Sequence, residues 1–165
     1  MPKQKVKATK LSVGLPFNLG SLEFVEDETQ QKAAWELYVE MVTRIAIQPL
    51  DQNTGILREA LASLYSIFGV TRDILKKAGP GVAQGPHSFG PVAIEVLNKG
   101  LRPFTAKWHP LLSAHEGKRP AGVGARDHEQ TWEHNEQFRQ ELSKLQAGLL
   151  MYAEALAVIS GAKVN

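Results

Sequence analysis

Apolar residues at alternating steps of four and three dominate the last part of the chain, and this spacing limits what the protein can fold into. Over residues 127–161 it places one narrow apolar stripe along a helix, which at about 1.5 Å per residue would be roughly 50 Å long. Such a helix needs partner helices to cover its stripe. The stripe consists of Phe138, Leu142, Leu145, Leu149, Tyr152, Leu156 and Ile159.

Earlier stretches carry the same helical spacing, so the sequence predicts an all-α fold, an antiparallel up-down four-helix bundle with long helices. The helices are predicted over residues 28–48, 55–78, 91–115 and 127–161. In the first three, the predicted core positions are Trp35, Tyr38, Val39, Val42 and Ile45; Leu57, Leu61, Leu64, Phe68, Thr71 and Leu75; and Leu97, Leu101, Phe104, Trp108, Leu111 and His115.

The first predicted helix has a capped, acidic start and a proline stop. Asp27 or Thr29 can cap it, and Pro49 ends it. Leu37 and Met41 fall beside the predicted core stripe. We therefore expect these two side chains to be available to a partner.

Two prolines lie inside the third predicted helix. Pro103 and Pro110 each lack a backbone donor and clash with the preceding turn of a helix. We therefore expect this helix to be kinked at these prolines, or broken near residues 100–103.

The amino-terminal segment is predicted to be an extended arm over residues 1–26, separate from a helical body over residues 27–165. Its apolar residues alternate with small or polar ones, which is typical of an extended chain with one apolar face. No other stretch alternates convincingly, so no sheet is expected for it to join. The arm lies along a groove of the helical body or docks onto a partner protein through Leu11, Val13, Leu15, Phe17 and Leu19.

Composition and charge narrow the class of protein. The chain has no cysteine, which favours a reducing, cytoplasmic compartment and excludes disulfides and thiol chemistry. No apolar run reaches the length of a membrane span. Four lysines in the first ten residues exceed the net charge of +2, so the remainder is net acidic and nucleic-acid binding is not expected of the body.

Histidines form the most distinctive group of polar residues. In an up-down bundle, the end of the third helix lies beside the start of the fourth, which would gather His109, His115, His128 and His134. Imidazole nitrogens are common metal ligands, so this end is a candidate ligand or metal site. The spacing argues against it, because ligands on one helix face are three or four residues apart, whereas these pairs are six apart.

Basic residues near the same end suggest a candidate anion site. Its predicted members are Arg44, Arg58, Arg102 and Lys107. Neighbouring carboxylates, such as Glu40, Glu59 and Glu129, offer these cations ordinary ion pairs instead.

No Gly-x-Ser-x-Gly nucleophile turn, complete phosphate loop or cofactor motif occurs, so we expect no cofactor and, on balance, no enzyme. The sequence predicts a helical bundle that acts by protein–protein contact, as an accessory subunit or small scaffold, or by self-association. Trp132, on a polar half of the fourth helix, is predicted to be a further contact residue. The alternatives are a ligand- or metal-binding bundle that uses the histidine end, and a basic-tailed nucleic-acid accessory protein.

Overall fold

The computed structural model of the protein describes residues 10–164, and most of them are helical, as the sequence predicts. Residues 1–9 of the predicted arm, which carry three of its first four lysines, lie outside the described residues. The helices are α1 (Glu28–Val42), α2 (Leu57–Ala78), α3 (Phe89–Glu95), α4 (Arg102–Glu116), α5 (Ala125–Gln130) and α6 (Asn135–Ser160). Two short strands, β1 (Leu11–Gly14) and β2 (Ser21–Phe24), precede them.

The four longest helices share one hydrophobic core. The helix α1 packs against α2 and α6, α2 packs against α4, and α4 packs against α6. All seven residues of the predicted α6 stripe are buried, as are Trp108 of α4 and Leu61 of α2. The prediction that this stripe forms the core is therefore confirmed. In contrast, Leu111 is exposed, and the neighbouring Leu112 is buried in its place.

The amino-terminal segment is not a lone extended arm, and the expectation that it has no sheet to join was wrong. Strands β1 and β2 form an antiparallel hairpin in which Leu11 pairs with Phe24 and Gly14 with Ser21. Because β2 is only four residues long, its alternation is too short to recognise in the sequence. Leu22 and Phe24 of β2 are buried in the same core as the helices.

Phe17, at the tip of the hairpin, fills a notch between two glycines of the helical body. A Cβ atom on Gly148 of α6 would lie 2.5 Å from Cε1 of the Phe17 ring, and one on Gly100 would lie 2.7 Å from its Cε2. Side chains cannot approach so closely, so only glycine admits the ring at these positions. Phe17 and Asn18 have left-handed backbones with φ of 59° and 56°. The tight turn that delivers the ring therefore carries local strain.

The predicted core face of α1 was wrong, because a different face of this helix packs against the core. Its buried residues are Ala33, Ala34, Leu37 and Met41. The alanines permit close approach to α2 and α6, and this packing favours their face over the larger apolar residues opposite. The predicted core residues Trp35, Val39 and Ile45 are exposed. Leu37 and Met41, predicted to be available to a partner, are part of the core.

The helix α1 ends at Val42, before the predicted residue 48. The Thr43 hydroxyl donates to the Val39 carbonyl at 2.7 Å, and Arg44 is extended. A 3₁₀ turn, Ile45–Ile47, follows, and the Ala46 N–H donates to Ser63 Oγ of α2 at 3.1 Å. The contact with α2 therefore replaces the last predicted turns of the helix.

The third predicted helix contains a wide turn instead of a break. A π-helical segment, Val96–Leu101, joins α3 to α4, and the backbone remains right-handed helical at both joints. Pro103 lies in the first turn of α4, immediately after this segment, where the altered hydrogen-bond register accommodates its missing donor. Pro110 lies inside α4.

The fourth predicted helix is interrupted, and the prediction of one helix over residues 127–161 was wrong. After α5 ends at Gln130, the Trp132 N–H donates to the Glu129 carbonyl, and α6 begins at Asn135. The Thr131 hydroxyl donates to the His128 carbonyl at 2.7 Å, which closes the end of α5. This turn directs Trp132 into the core.

By length and composition alone, α6 is long and apolar enough to cross a membrane. However, 56% of its most apolar window is buried inside the protein. A core helix passes the same test, so the expectation that no segment spans a membrane stays a prediction.

Candidate functional site

Two histidines join the end of α4 to α5 through a reciprocal pair of hydrogen bonds. The rings of His115 and His128 are stacked, with centroids 3.9 Å apart and planes within 7°. His115 Nε2 donates to the His128 carbonyl at 2.8 Å, and His128 Nε2 donates to the His115 carbonyl at 2.7 Å. Because a carbonyl only accepts, both rings carry hydrogen on Nε2. Each ring therefore adds a hydrogen bond to a carbonyl near the end of the other's helix, beside the backbone donor that this carbonyl already accepts.

Aromatic rings surround this pair. Trp132 stacks on His115 at 5.7 Å between centroids and meets Trp108 edge to face at 5.8 Å. His134 also contacts Trp108 and Trp132 edge to face. Trp132 is only 7% exposed. The hypothesis that Trp132 contacts a partner therefore lacks the accessible surface it needs.

Glu129 of α5 caps the start of α2. Its two carboxylate oxygens accept from the Leu57 N–H at 2.9 Å and the Arg58 N–H at 3.3 Å. Glu129 is 3% exposed, and burial raises the pKa of its carboxyl, although these backbone donors and Arg139 lower it. An acidic side chain remote in the chain thus satisfies donors at the start of α2, where anions are favoured.

Arg58 ties α2 to the last turn of α4. Its Nε and Nη2 atoms each donate to Glu116 at 2.8 Å, and this pairing raises the pKa of the guanidinium. Nη2 also donates to Ser113 Oγ at 3.2 Å, and Nη1 donates to His109 Nδ1 at 3.3 Å. A cleft of about 450 Å³ lies beside these groups.

The predicted histidines therefore divide into two environments. His115, His128 and His134 meet around Trp132, whereas His109 faces Arg58 and Tyr65. Within residues 10–164, no group of three or more His, Cys, Asp or Glu residues is placed to hold a metal ion. The Nε2 atoms of His115 and His128 and both carboxylate oxygens of Glu129 are engaged with backbone groups, so their arrangement joins helices.

The predicted anion residues do not come together as one site. Arg44 pairs with Glu40 and donates to Ser66 Oγ, Arg58 pairs with Glu116, and Lys107 Nζ lies 2.6 Å from Glu141. Arg102 instead lies over the ring of Phe68, 5.1 Å from its centroid. Arg72, which sequence reasoning missed, lies 6.0 Å from the same centroid. Only the packing of α2 against α4 brings these two arginines to one ring.

The predicted contact residues of the amino-terminal segment pack largely on the protein itself. Leu15 is buried, whereas Val13, Phe17 and Leu19 are partly buried against the core. Leu11 remains 39% exposed. Sequence analysis missed Trp35 as a surface residue, since its helical spacing resembled that of a core position.

Comparison of the chain with protein-family models, curated proteins and solved structures found no match.

Proposed function

We propose that this protein is a non-enzymatic helical-bundle protein that acts by protein–protein contact through the outer face of α1, as an accessory subunit or small scaffold. The observation that carries the proposal is the exposure of Trp35, an aromatic residue that is 45% exposed on a helix whose opposite face is already fully packed. We also place the protein in the cytoplasm, because a chain without cysteine suits a reducing compartment.

The outer face of α1 consists of Trp35, Tyr38, Val39 and Val42, which follow one another at helical spacing. The rings of Trp35 and Tyr38 are stacked at 5.5 Å between centroids, so the aromatic part of the surface is already ordered. Val39 is 38% exposed, while Tyr38 and Val42 are partly buried against the core. Large aromatic residues held in place lose little entropy on binding, which suits them to anchor an interface.

The partner that fits this face is an amphipathic helix of another protein. Steps of three and four along the outer face match the ridge of apolar side chains that one helix presents to another. Glu28 and Lys32 lie at the amino end of the same helix and are exposed, so a polar rim borders the apolar residues.

The same proposal includes the finer arrangement of the body, an up-down-up-down bundle of α1, α2, α4 and α6. Contacts between early residues of one helix and late residues of its neighbour support antiparallel pairs. These contacts are Arg58 with Glu116 for α2 and α4, and Gln31 with Gly161 for α1 and the end of α6. Glu36 contacts Lys77 whereas Arg44, just after α1, contacts Ser66, so α1 and α2 run in opposite directions. Gly100, just before α4, and Gly148 of α6 flank the same ring, whereas Trp108 contacts Phe138, so α4 also runs against α6.

Site-specific photocrosslinking tests this function. A photoreactive amino acid in place of Val39 is expected to join the protein to a partner in cells, and Trp35→Ser in the same chain is expected to abolish the adduct. Ile94 of α3, which is 47% exposed, is the matched control position, and it should give no adduct.

Equal adducts from positions 39 and 94, or adducts that persist with Trp35→Ser, would contradict the proposal. A crosslink between two copies of this chain would mean that the face mediates self-association instead of binding a different protein. Light scattering would then detect a dimer, and Trp35→Ser would abolish it.

A further inference from the structure

A groove between α2 and α4 gathers two arginines around one aromatic ring. Arg72 and Arg102 lie 6.0 Å and 5.1 Å from the centroid of Phe68. Tyr65 and Thr105 complete the polar lining, and the groove has a volume of about 250 Å³. Both arginines are exposed, whereas the Phe68 side chain beneath them is buried.

These two guanidinium groups have no carboxylate partner among residues 10–164, within 4.0 Å. Arg44, Arg58 and Lys107 each have one. Two permanent positive charges at one ring repel each other, and the aromatic face offsets only about 0.5–1 kcal/mol of this at an exposed site. The groove therefore carries two positive charges without internal compensation.

Arg102 is also held in position. Its Nε atom donates to Asn98 Oδ1 at 3.1 Å, a neutral acceptor one helical turn earlier. This contact occupies one donor and leaves the terminal nitrogens available to an acceptor from outside. A guanidinium whose terminal nitrogens are presented in a plane matches the oxygens of a phosphate group in two-point contact.

We propose that this groove binds a small phosphate monoester, with its dianionic phosphate between Arg72 and Arg102 and its flat organic group against Tyr65. The two positive charges match the charge of about −2 on a phosphate monoester near neutral pH. Tyr65 is 42% exposed and offers an aromatic surface at the rim. The volume of the groove fits a small ligand.

Phenyl phosphate is the probe, titrated into the full chain at constant ionic strength and followed by NMR. Saturable binding is expected, with shifts concentrated at residues 65–72 and 102–106. Arg72→Gln and Arg102→Gln are each expected to weaken binding at least about tenfold, because each removes a charge-assisted contact. Arg119→Gln, which removes an equal charge from an exposed residue outside this groove, should leave binding unchanged.

The charge of the ligand separates two sources of phosphate. Phenyl methyl phosphate, a monoanionic diester like the nucleic-acid backbone, is expected to bind at least about tenfold more weakly than the monoester. Equal binding of the diester would overturn the assignment to a monoester. The site itself would be overturned if sodium chloride alone produced the same chemical-shift changes. It would also be overturned if the Arg72→Gln/Arg102→Gln variant bound phenyl phosphate as tightly as the wild type.

Circular dichroism checks that each variant is folded. If Arg102→Gln unfolds the protein, Arg102→Lys is used in its place, because lysine keeps the charge but lacks the planar guanidinium. Arg102→Lys is expected to retain only part of the affinity for phenyl phosphate. Full affinity would contradict two-point binding. The outer face of α1 takes no part in this site. Trp35→Ser should therefore leave phenyl phosphate binding intact, and either proposal can fail alone.

Discussion

Single residues decide how the separate parts of this protein are joined. Phe17 reaches the helices only because Gly100 and Gly148 lack a Cβ atom. Glu129 caps α2 from a position 72 residues away from Leu57. The sequence predicts that His115 and His128 lie close together. Their hydrogen bonds to each other's carbonyls depend on a geometry that their spacing does not encode.

Gly148→Ala tests the notch that holds Phe17. The added methyl group would lie 2.5 Å from the ring, so we expect a loss of about 1–3 kcal/mol in the free energy of unfolding, measured by urea denaturation. Gly69→Ala in α2 is the matched control, since nothing lies within 4 Å of its added Cβ. This control should gain about 0.5–1 kcal/mol, because alanine favours a helix over glycine.

The loss should disappear when Phe17→Ala is already present, because the two changes act on one contact. An equal loss from Gly148→Ala with and without the Phe17 ring would show that the notch has another role.

The raised pKa of Glu129 predicts the direction in which its contribution to the free energy of unfolding changes with pH. Burial raises the pKa of its carboxyl in the folded protein. Such a group stabilises the fold most below its unfolded pKa and loses this contribution as the pH rises through its folded pKa. We therefore expect the difference in unfolding free energy, wild type minus Glu129→Gln, to decrease in urea titrations as the pH rises above about 4.

Glu154→Gln is the control for this pH series, since it makes the same substitution at an exposed position of α6. A difference for Glu129→Gln that increases with pH would mean that its hydrogen bonds outweigh its burial.

At the scale of elements, the helices keep their predicted identity but not always their predicted faces or ends. The helix α6 buries the stripe that its spacing predicts, because one face is clearly more apolar than the others. In α1 both faces are apolar, so the periodicity alone does not choose between them. The choice falls to packing, which favours the alanine-containing face for its close approach to α2 and α6.

The orientation of α1 is tested by comparing its two faces. Leu37→Ala should lower the free energy of unfolding by about 2–5 kcal/mol, since this side chain is 1% exposed. Trp35→Ala should cost at most about 1.5 kcal/mol, the scale of its stacking on Tyr38, although it removes the larger side chain. Urea denaturation measures both, and a larger loss for Trp35→Ala would mean that the predicted face is the buried one after all.

At the scale of the whole molecule, the hairpin and the helices share one core. Leu22 and Phe24 are buried together with residues of α1, α2 and α6. The predicted division into an arm over residues 1–26 and a body over residues 27–165 stays a prediction. The two proposed binding surfaces belong to different helices, the outer face of α1 and the groove between α2 and α4. A partner protein and a small anion therefore need not compete for the same residues.

The sequence by itself determined that the protein is mostly helical and that the α6 stripe is buried, because side chains three and four apart meet on one face whatever surrounds the helix. Tertiary structure alone decided which face of α1 is exposed, where the last helix is interrupted, and that Arg72 joins Arg102. These outcomes depend on distances between residues far apart in the chain, and local spacing carries no information about such distances.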